Sequence, residues 1–118
     1  MRHDDAICLR HMLDAAEQAL GFSAGASRQN LDANPMLSFA VVRALEIIGE
    51  AAGKVTAETR AAYPELPWQS MTAMRNRIIH AYFDVDLDRV WDTITEDLPP
   101  LVARLRPILA TLDPSAGS

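Results

Sequence analysis

Apolar residues recur along most of this chain with the three- and four-residue spacing of helices, and no segment alternates convincingly with the two-residue period of a strand. The clearest repeat follows Asn34 and Pro35, residues that are favourable at the N-cap and at the first position of a helix. Its apolar positions predict one continuous seam, formed by Leu37, Val41, Ala44, Ile48, Ala51 and Val55. Gly49 interrupts this helix, either because another helix approaches closely there or as a tolerated defect.

Similar apolar stripes predict further helices, which are separated by stretches rich in Gly, Pro, Ser, Asn and Asp. The predicted helices span residues 4–20, 34–55, 56–62, 67–82 and 87–112. Gly21 marks the end of the first helix, and Thr56 and Asp86 are the expected caps of the short helix and of the last one. The seam of the last helix runs through Pro99 and Pro100, so this helix is either kinked or divided into two collinear helices.

These helices predict an all-α fold, a helical bundle of four to five helices, in a single domain over residues 1–112. Residues 113–118 are expected to form a disordered tail. No apolar run approaches the ~20 residues that span a bilayer, and the first residues lack the pattern of a signal peptide. Since the single cysteine allows no internal disulfide, the expected compartment is the cytoplasm.

The charge balance limits the class of partner. A net charge of −5 argues against a protein that coats nucleic acid through a broad basic surface, although it leaves room for a small local site. His3, His11 and Cys8 do not have the spacing of a metal-ligand set, so we expect no metal and no cofactor.

The stretch RNRIIHAYF, residues 75–83, places polar side chains inside a segment that otherwise resembles helix core. On a helical wheel Arg75 falls within the apolar arc, Tyr82 lies about 20° from it, and Asn76 shares the opposite face with His80. Arg75 and His80 are then about 140° apart. They meet in one site only if the helix end is distorted or if a second copy supplies part of the site, as a symmetric dimer through this helix would do.

The residue types in this stretch suit metal-free cleavage of RNA. Arginine offers a fork of donors to phosphate oxygens, and histidine, with an ordinary pKa near ~6.5, exchanges protons at neutral pH. Asparagine can orient either group. By spacing alone, a structural role is the commoner explanation for a helical arginine and histidine five residues apart.

Three longer stretches resemble a known family. MRNRIIHAYFDVDLDRVWDTITEDLPPL, at residues 74–101, resembles the motif region of the HepT-like toxins of the HEPN superfamily. RALEIIGEAA, at 43–52, resembles their second-helix signature, and YPELPWQSM, at 63–71, matches the lead into the motif helix. The resemblance implies a HEPN-type bundle that dimerises, with two motifs lining a cleft between subunits.

The resemblance also implies a function and a set of site residues. The implied activity is that of a metal-independent endoribonuclease, the toxin of a type II toxin–antitoxin pair, with Arg75, Asn76 and His80 as catalytic residues. The implied partner is a nucleotidyltransferase of the MNT class, which silences the toxin by attaching AMP to Tyr82. The alternative is a non-catalytic dimeric subunit that binds a nucleotidyltransferase or a nucleotide.

Two glutamates on the second helix are candidate supporting residues. Glu46 and Glu50 lie on the same face, near the cleft that the resemblance implies. They could hold Arg75 or basic residues of the partner, or they could be a like-charged surface pair without a role. The sequence favours neither explanation.

Overall fold

The computed structural model describes residues 2–112 of the 118-residue chain, and the predicted tail at 113–118 lies outside them. Helices dominate the described part, which confirms the all-α prediction. In chain order the elements are α1 (His3–Ser23), α2 (Arg28–Ala33), α3 (Pro35–Lys54), α4 (Ala57–Ala62), α5 (Trp68–Thr72), α6 (Met74–Ile78), β1 (Ile79–Ala81), β2 (Asp84–Val85), α7 (Leu87–Asp92), a π-helical turn (Thr93–Asp97) and α8 (Leu98–Leu112).

The core lies between the three long helices. α1 packs along α3, and α8 packs against α1. Leu9 of α1, Leu45 and Ile48 of α3 and Leu105 of α8 are completely buried. The predicted seam of α3 is confirmed: its residues from Val41 to Val55 are buried and Leu37 is partly buried. Among residues 2–112, no helix is long and apolar enough to cross a membrane.

The predicted helix starts are confirmed by their caps. The Asn34 side chain accepts a hydrogen bond from the backbone N–H of Leu37, with Pro35 at the first helical position of α3. The Thr56 hydroxyl accepts from the N–H of Thr59 at the start of α4. The Asp86 carboxylate accepts from the N–H of Arg89 at the start of α7. Each cap satisfies a backbone donor that has no partner inside its helix.

A buried carboxylate joins α1 to α4. Asp5 accepts hydrogen bonds from the backbone N–H of Thr56 at 3.1 Å and from the hydroxyls of Thr56 and Thr59 at 2.6 Å each. Asp5 is almost fully buried, and these three donors replace the water that it loses on folding. The contact fixes the N-terminus of α4 on α1.

The predicted end of α1 at Gly21 is wrong. The helix continues to Ser23, whose hydroxyl donates a hydrogen bond to the carbonyl of Ala19. The turn is made instead by Gly25, whose φ of 76° is in the left-handed region that glycine adopts without strain. A glycine inside a helix is tolerated, so Gly21 alone does not end α1.

The predicted helix over 67–82 is also wrong. It breaks at Ala73 between α5 and α6, and it ends at Ile78, after which Ile79 is extended (φ −118°, ψ 109°). β1 then pairs with β2 in an antiparallel hairpin. Ile78 and Ile79 are β-branched, and such residues favour strand geometry. The hairpin gives β1 hydrogen-bonding partners in β2, which a helical wheel cannot show.

The last predicted helix, residues 87–112, is divided into α7 and α8, which is one of the two arrangements expected from its prolines. The π-helical turn separates α7 from α8 and places Pro99 and Pro100 in the first turn of α8. Proline has no N–H to donate and clashes with the preceding turn of a regular helix, but the first turn tolerates it. The wider π turn allows the chain to continue as a helix into α8.

Gly49 marks a close approach between helices rather than a defect. A Cβ at this position would lie 3.0 Å from the backbone oxygen of Met71 on α5. This distance is tighter than nine in ten real contacts of a Cβ atom, so an alanine here would require the α5 backbone to give way. Since α5 leads directly into α6, this contact sets where the motif segment lies on α3.

Candidate active site

The candidate residues lie where α6 passes into the β1–β2 hairpin. Arg75 and Asn76 are on α6, His80 is on β1, and Tyr82 is in the turn between the two strands. All four side chains are exposed. The wheel that placed Asn76 and His80 on one face, and Tyr82 within 20° of Arg75, is therefore wrong, because the helix ends before His80.

Arg75 does not lie on the apolar face. Met71, Met74 and Ile78 are buried, whereas the Arg75 side chain is 60% exposed and its Nε lies 3.6 Å from Oε2 of Glu46 on α3. Within the described residues, its terminal nitrogens make no hydrogen bond. Arg75 is thus held near its stem while the outer edge of the guanidinium faces solvent.

The two candidate glutamates have different partners. Glu46 contacts Arg75 and is only 22% exposed. Glu50 pairs with Arg43, with 3.3 Å between Oε1 and Nη1. Of the two glutamates, Glu46 is therefore the one that lies beside Arg75.

His80 has a carboxylate neighbour of its own. Its Nε2 lies 3.6 Å from Oδ2 of Asp86, and the imidazole is about half exposed. The backbone N–H of Arg89 and, to a smaller extent, the side chain of His80 hold the pKa of Asp86 below its ordinary value. The sequence identified Asp86 only as a helix cap. The hairpin brings it back beside β1 through a turn at Tyr82-Phe83, and the sequence gives no glycine, proline or asparagine there to signal that turn.

An apolar patch adjoins these residues. It is defined by Met36 and Phe39 near the start of α3 and by Tyr82 and Phe83 at the hairpin turn, and each of the four is at least 76% exposed. The rings of Tyr82 and Phe83 meet edge to face, with 5.2 Å between centroids. Phe39, Tyr82 and Phe83 line a shallow groove of about 360 Å³ together with Val42 and other residues of α3 and the hairpin.

The structure brings some of the candidate residues together and leaves others apart. Between residues 2 and 112 no hydrogen bond joins Arg75 to His80, and each lies 3.6 Å from a carboxylate of its own. The Asn76 side chain makes no hydrogen bond to any residue described. Arg77 lines a different cleft, of about 360 Å³, with Arg104 on its rim. A group of three or more His, Cys, Asp or Glu side chains that could hold a metal is absent from the described part of the chain.

Comparison with known proteins identifies relatives of this chain. The family described as "Ribonuclease HepT-like" matches residues 12–108. A protein of Methanocaldococcus jannaschii named "Putative RNase MJ1380" is 34% identical over 85% of this chain and 92% of its own length. One of Caldanaerobacter subterraneus subsp. tengcongensis named "Putative RNase TTE0752" is 36% identical over 86% of this chain and 90% of its own length.

A third relative matches over a shorter stretch. The protein of Thermococcus cleftensis named "Probable ribonuclease HepT" is 51% identical over 63 residues, which are 53% of this chain and 57% of that protein. No solved structure matches the chain.

Proposed function

The chain belongs to the HepT-like ribonuclease family, and on that premise we propose that it is an endoribonuclease that cuts RNA without a metal ion. The observation that carries this proposal is the position of Arg75, Asn76 and His80. All three are solvent-exposed within six residues of one another, where α6 meets β1. A phosphate oxygen of a bound RNA can approach them without any rearrangement of the core.

Each of the three residues has a defined part in the proposed reaction. The imidazole of His80 takes the proton of a ribose 2′-OH, and the 2′ oxygen forms a bond to the adjacent phosphorus. The bond from phosphorus to the 5′ oxygen breaks, the 5′ oxygen takes a proton from water, and the imidazolium of His80 gives its proton to the hydroxide that is left. The products carry a 2′,3′-cyclic phosphate and a 5′-OH. Arg75 donates to the phosphoryl oxygens as their charge grows, and Asn76 orients the phosphate.

A second copy of the chain completes the site in this proposal. The two copies form a homodimer in which two motifs line one groove. The apolar patch supports this arrangement, because contiguous exposed aromatic and methionine side chains mark interaction sites. The patch lies on α3 and the hairpin turn, so the proposed interface includes these elements beside the motif helix.

We further propose that the protein is the toxin of a toxin–antitoxin pair. Its antitoxin would be a nucleotidyltransferase of the MNT class that transfers AMP from ATP to Tyr82. The Tyr82 oxygen bonds to the α-phosphorus, pyrophosphate leaves, and the phenolic proton passes to solvent. The Tyr82 side chain is 95% exposed, which makes its hydroxyl accessible to such an enzyme. The added phosphate and nucleotide would compete with RNA for the groove.

A non-catalytic role is the second candidate. A dimeric subunit that presents Tyr82 to a nucleotidyltransferase, or binds a nucleotide, needs no RNA-cleaving chemistry. The net charge of −5 favours this candidate, since it offers little general attraction for RNA.

Cleavage of labelled RNA by the purified chain, in buffer containing a chelator, separates the two candidates. The ribonuclease proposal predicts products with 2′,3′-cyclic phosphate ends. It also predicts a fall in rate of roughly 100-fold or more for His80→Ala and Arg75→Ala. Arg77→Ala is the matched control, because it removes the same charge from the same helix but lies in another cleft.

The result that would contradict catalysis is a wild-type dimer that cuts no RNA at any ionic strength. Growth arrest on expression gives a second readout. Arrest should disappear in the His80 and Arg75 variants while light scattering shows that both variants still dimerise.

A further inference from the structure

We infer that Asp86 is a positioning residue that fixes the imidazole of His80 through Nε2 and leaves Nδ1 as the base. The inference rests on the proposed function for its kinetic part, but its structural part concerns only these two side chains. Nε2 of His80 lies 3.6 Å from Oδ2 of Asp86. Hydrogen bonds in an active site without substrate are often long and shorten when substrate binds.

Asp86 is itself held at three points. Its backbone N–H donates to the carbonyl of Ile78 at 2.7 Å, which closes the hairpin. Its Oδ1 accepts from the backbone N–H of Arg89 at 3.1 Å, which caps α7. Its Oδ2 is the oxygen nearest His80. Because the main chain and one oxygen are fixed by the hairpin and by α7, the second oxygen has a defined position beside the imidazole.

The position of this oxygen selects one form of the imidazole. A carboxylate accepts hydrogen bonds and cannot donate one, so a neutral imidazole that faces it through Nε2 carries its proton on Nε2. The lone pair is then on Nδ1, and Nδ1 becomes the atom that takes the proton of the 2′-OH. Without the carboxylate, the neutral ring exchanges between its two tautomers and turns about its side-chain bonds.

Asp86 and Glu46 therefore each contact a different residue of the proposed site. Glu46 reaches Arg75 from α3, and Asp86 reaches His80 from the start of α7. Two carboxylates from distant parts of the chain thus orient the two groups of the proposed reaction. Asp86 was expected only to cap a helix, and the hairpin gives it this second contact.

The test uses Asp86→Ser in the full chain, because serine is a good N-cap but is too short to reach His80. We expect kcat for RNA cleavage to fall roughly 100-fold, with KM within about twofold of the wild type, as for a misplaced reacting group. The NMR signals of the imidazole nitrogens, assigned with His80→Gln, should change from a single Nε2–H tautomer to a mixture. If Asp86 only caps α7, Asp86→Ser should not lower kcat selectively and should not change the tautomer of His80.

Asp84→Ser is the matched control. It removes the same charge from the neighbouring strand β2, and the Asp84 side chain makes no hydrogen bond or ion pair among residues 2–112. We expect its kcat and its His80 tautomer to match the wild type. Asp86→Asn is the second variant if the serine variant folds poorly. Its amide oxygen can accept from Nε2–H without charge, so kcat should fall between the wild type and Asp86→Ser.

Two outcomes would overturn the inference. One is a folded Asp86→Ser or Asp86→Asn protein that keeps both the wild-type kcat and the single Nε2–H tautomer. The other is a wild-type protein whose neutral His80 carries its proton on Nδ1. If the wild type cuts no RNA, the proposed function fails, and the tautomer comparison still decides whether Asp86 positions His80.

Discussion

Arg75 on α6 and Glu46 on α3 are joined by a contact of 3.6 Å between Nε and Oε2. The contact links the motif segment to the central helix of the bundle. It engages the guanidinium at its inner nitrogen, so the two terminal nitrogens keep the forked geometry that suits phosphate. Glu46 is the more buried member of the pair, so its side chain is the more restricted of the two.

Glu46→Gln should lower RNA cleavage by roughly tenfold, because a neutral amide holds the guanidinium less firmly and a misaimed group loses rate. Circular dichroism should show an unchanged fold, since Glu46 is only partly buried and glutamine has nearly the same shape. Glu17→Gln is the control. It weakens the ion pair between Glu17 of α1 and Arg106 of α8, and it should leave the rate of RNA cleavage unchanged. Equal rates for Glu46→Gln and the wild type would show that Glu46 does not aim Arg75.

Phe39→Glu should convert the proposed dimer to a monomer, because it places a charge in the centre of the apolar patch. Light scattering should then give a mass near 13.0 kDa instead of twice that value. RNA cleavage should fall with the dimer. Phe22→Glu changes an exposed aromatic residue of α1 that does not line the groove of Phe39, and this variant should remain dimeric. If the Phe39→Glu protein stays dimeric, the apolar patch is not part of the dimer interface.

Tyr82→Phe should leave RNA cleavage within about twofold of the wild type, since the hydroxyl has no part in the proposed proton transfers. The same variant should gain no AMP when it is incubated with the partner nucleotidyltransferase and ATP, as measured by mass spectrometry. Tyr63→Phe, at a half-buried tyrosine that follows α4, should still be modified. Labelling of the Tyr82→Phe protein at an unchanged level would place the modification elsewhere.

Asp5→Asn should destabilise the fold by about 2 kcal/mol near neutral pH, because the hydroxyls of Thr56 and Thr59 lose a charged acceptor. Hydrogen bonds from Thr56 and then Thr59 lower the pKa of Asp5 in the folded state. The unfolded chain therefore binds the proton at higher pH than the folded chain does. The stabilisation is complete above the ordinary Asp pKa of ~3.9 and is lost as the pH falls through the lowered value.

Urea unfolding from about pH 6 down to about pH 3 measures this loss. Asp5→Asn should flatten the acid limb of the stability curve, whereas Asp4→Asn, at the exposed neighbouring position, should keep it. If the stability of the wild type and of Asp5→Asn falls equally steeply as the pH is lowered, other carboxylates cause that fall.

Gly49→Ala and Gly53→Ala should differ in sign or size although both glycines are in α3. Nothing lies within 4 Å of a Cβ at Gly53, so alanine there should raise the free energy of unfolding by up to ~1 kcal/mol. At Gly49 the Cβ would meet the backbone oxygen of Met71, which cannot rotate away. Urea unfolding should show a smaller gain or a loss for Gly49→Ala. Equal gains at the two positions would mean that α5 moves aside at no cost.

The parts of the fold that local signals control were predictable. Asn34 and Pro35 set the start of α3, and its seam of apolar residues is buried as predicted. Thr56 and Asp86 cap their helices because a side-chain oxygen needs only the next turn of backbone as its partner. In each case the donor, the acceptor and the apolar period lie within a few residues of one another.

The parts that depend on distant contacts were not predictable. Ile79 fits a helical stripe as well as a strand, and its pairing with Val85 makes it a strand residue. Asp5 resembles an ordinary acidic residue of a first helical turn, and its role depends on Thr56, 51 residues later. The candidate residues were identified by their types and by the family resemblance. Their geometry was not predictable, because a helical wheel assumes a continuous helix and His80 lies in a hairpin.

His80 is carried by a hairpin of three and two residues, a size that has little stability of its own in water. We expect such a segment to open locally at a lower free energy than the bundle needs to unfold, and its amides to exchange with solvent sooner than those of α1 or α3. If His80 acts as proposed, catalytic competence and thermal endurance belong to different cooperative units in this molecule. Under the proposed function, a change that unfolds only the hairpin would abolish RNA cleavage while leaving the bundle intact.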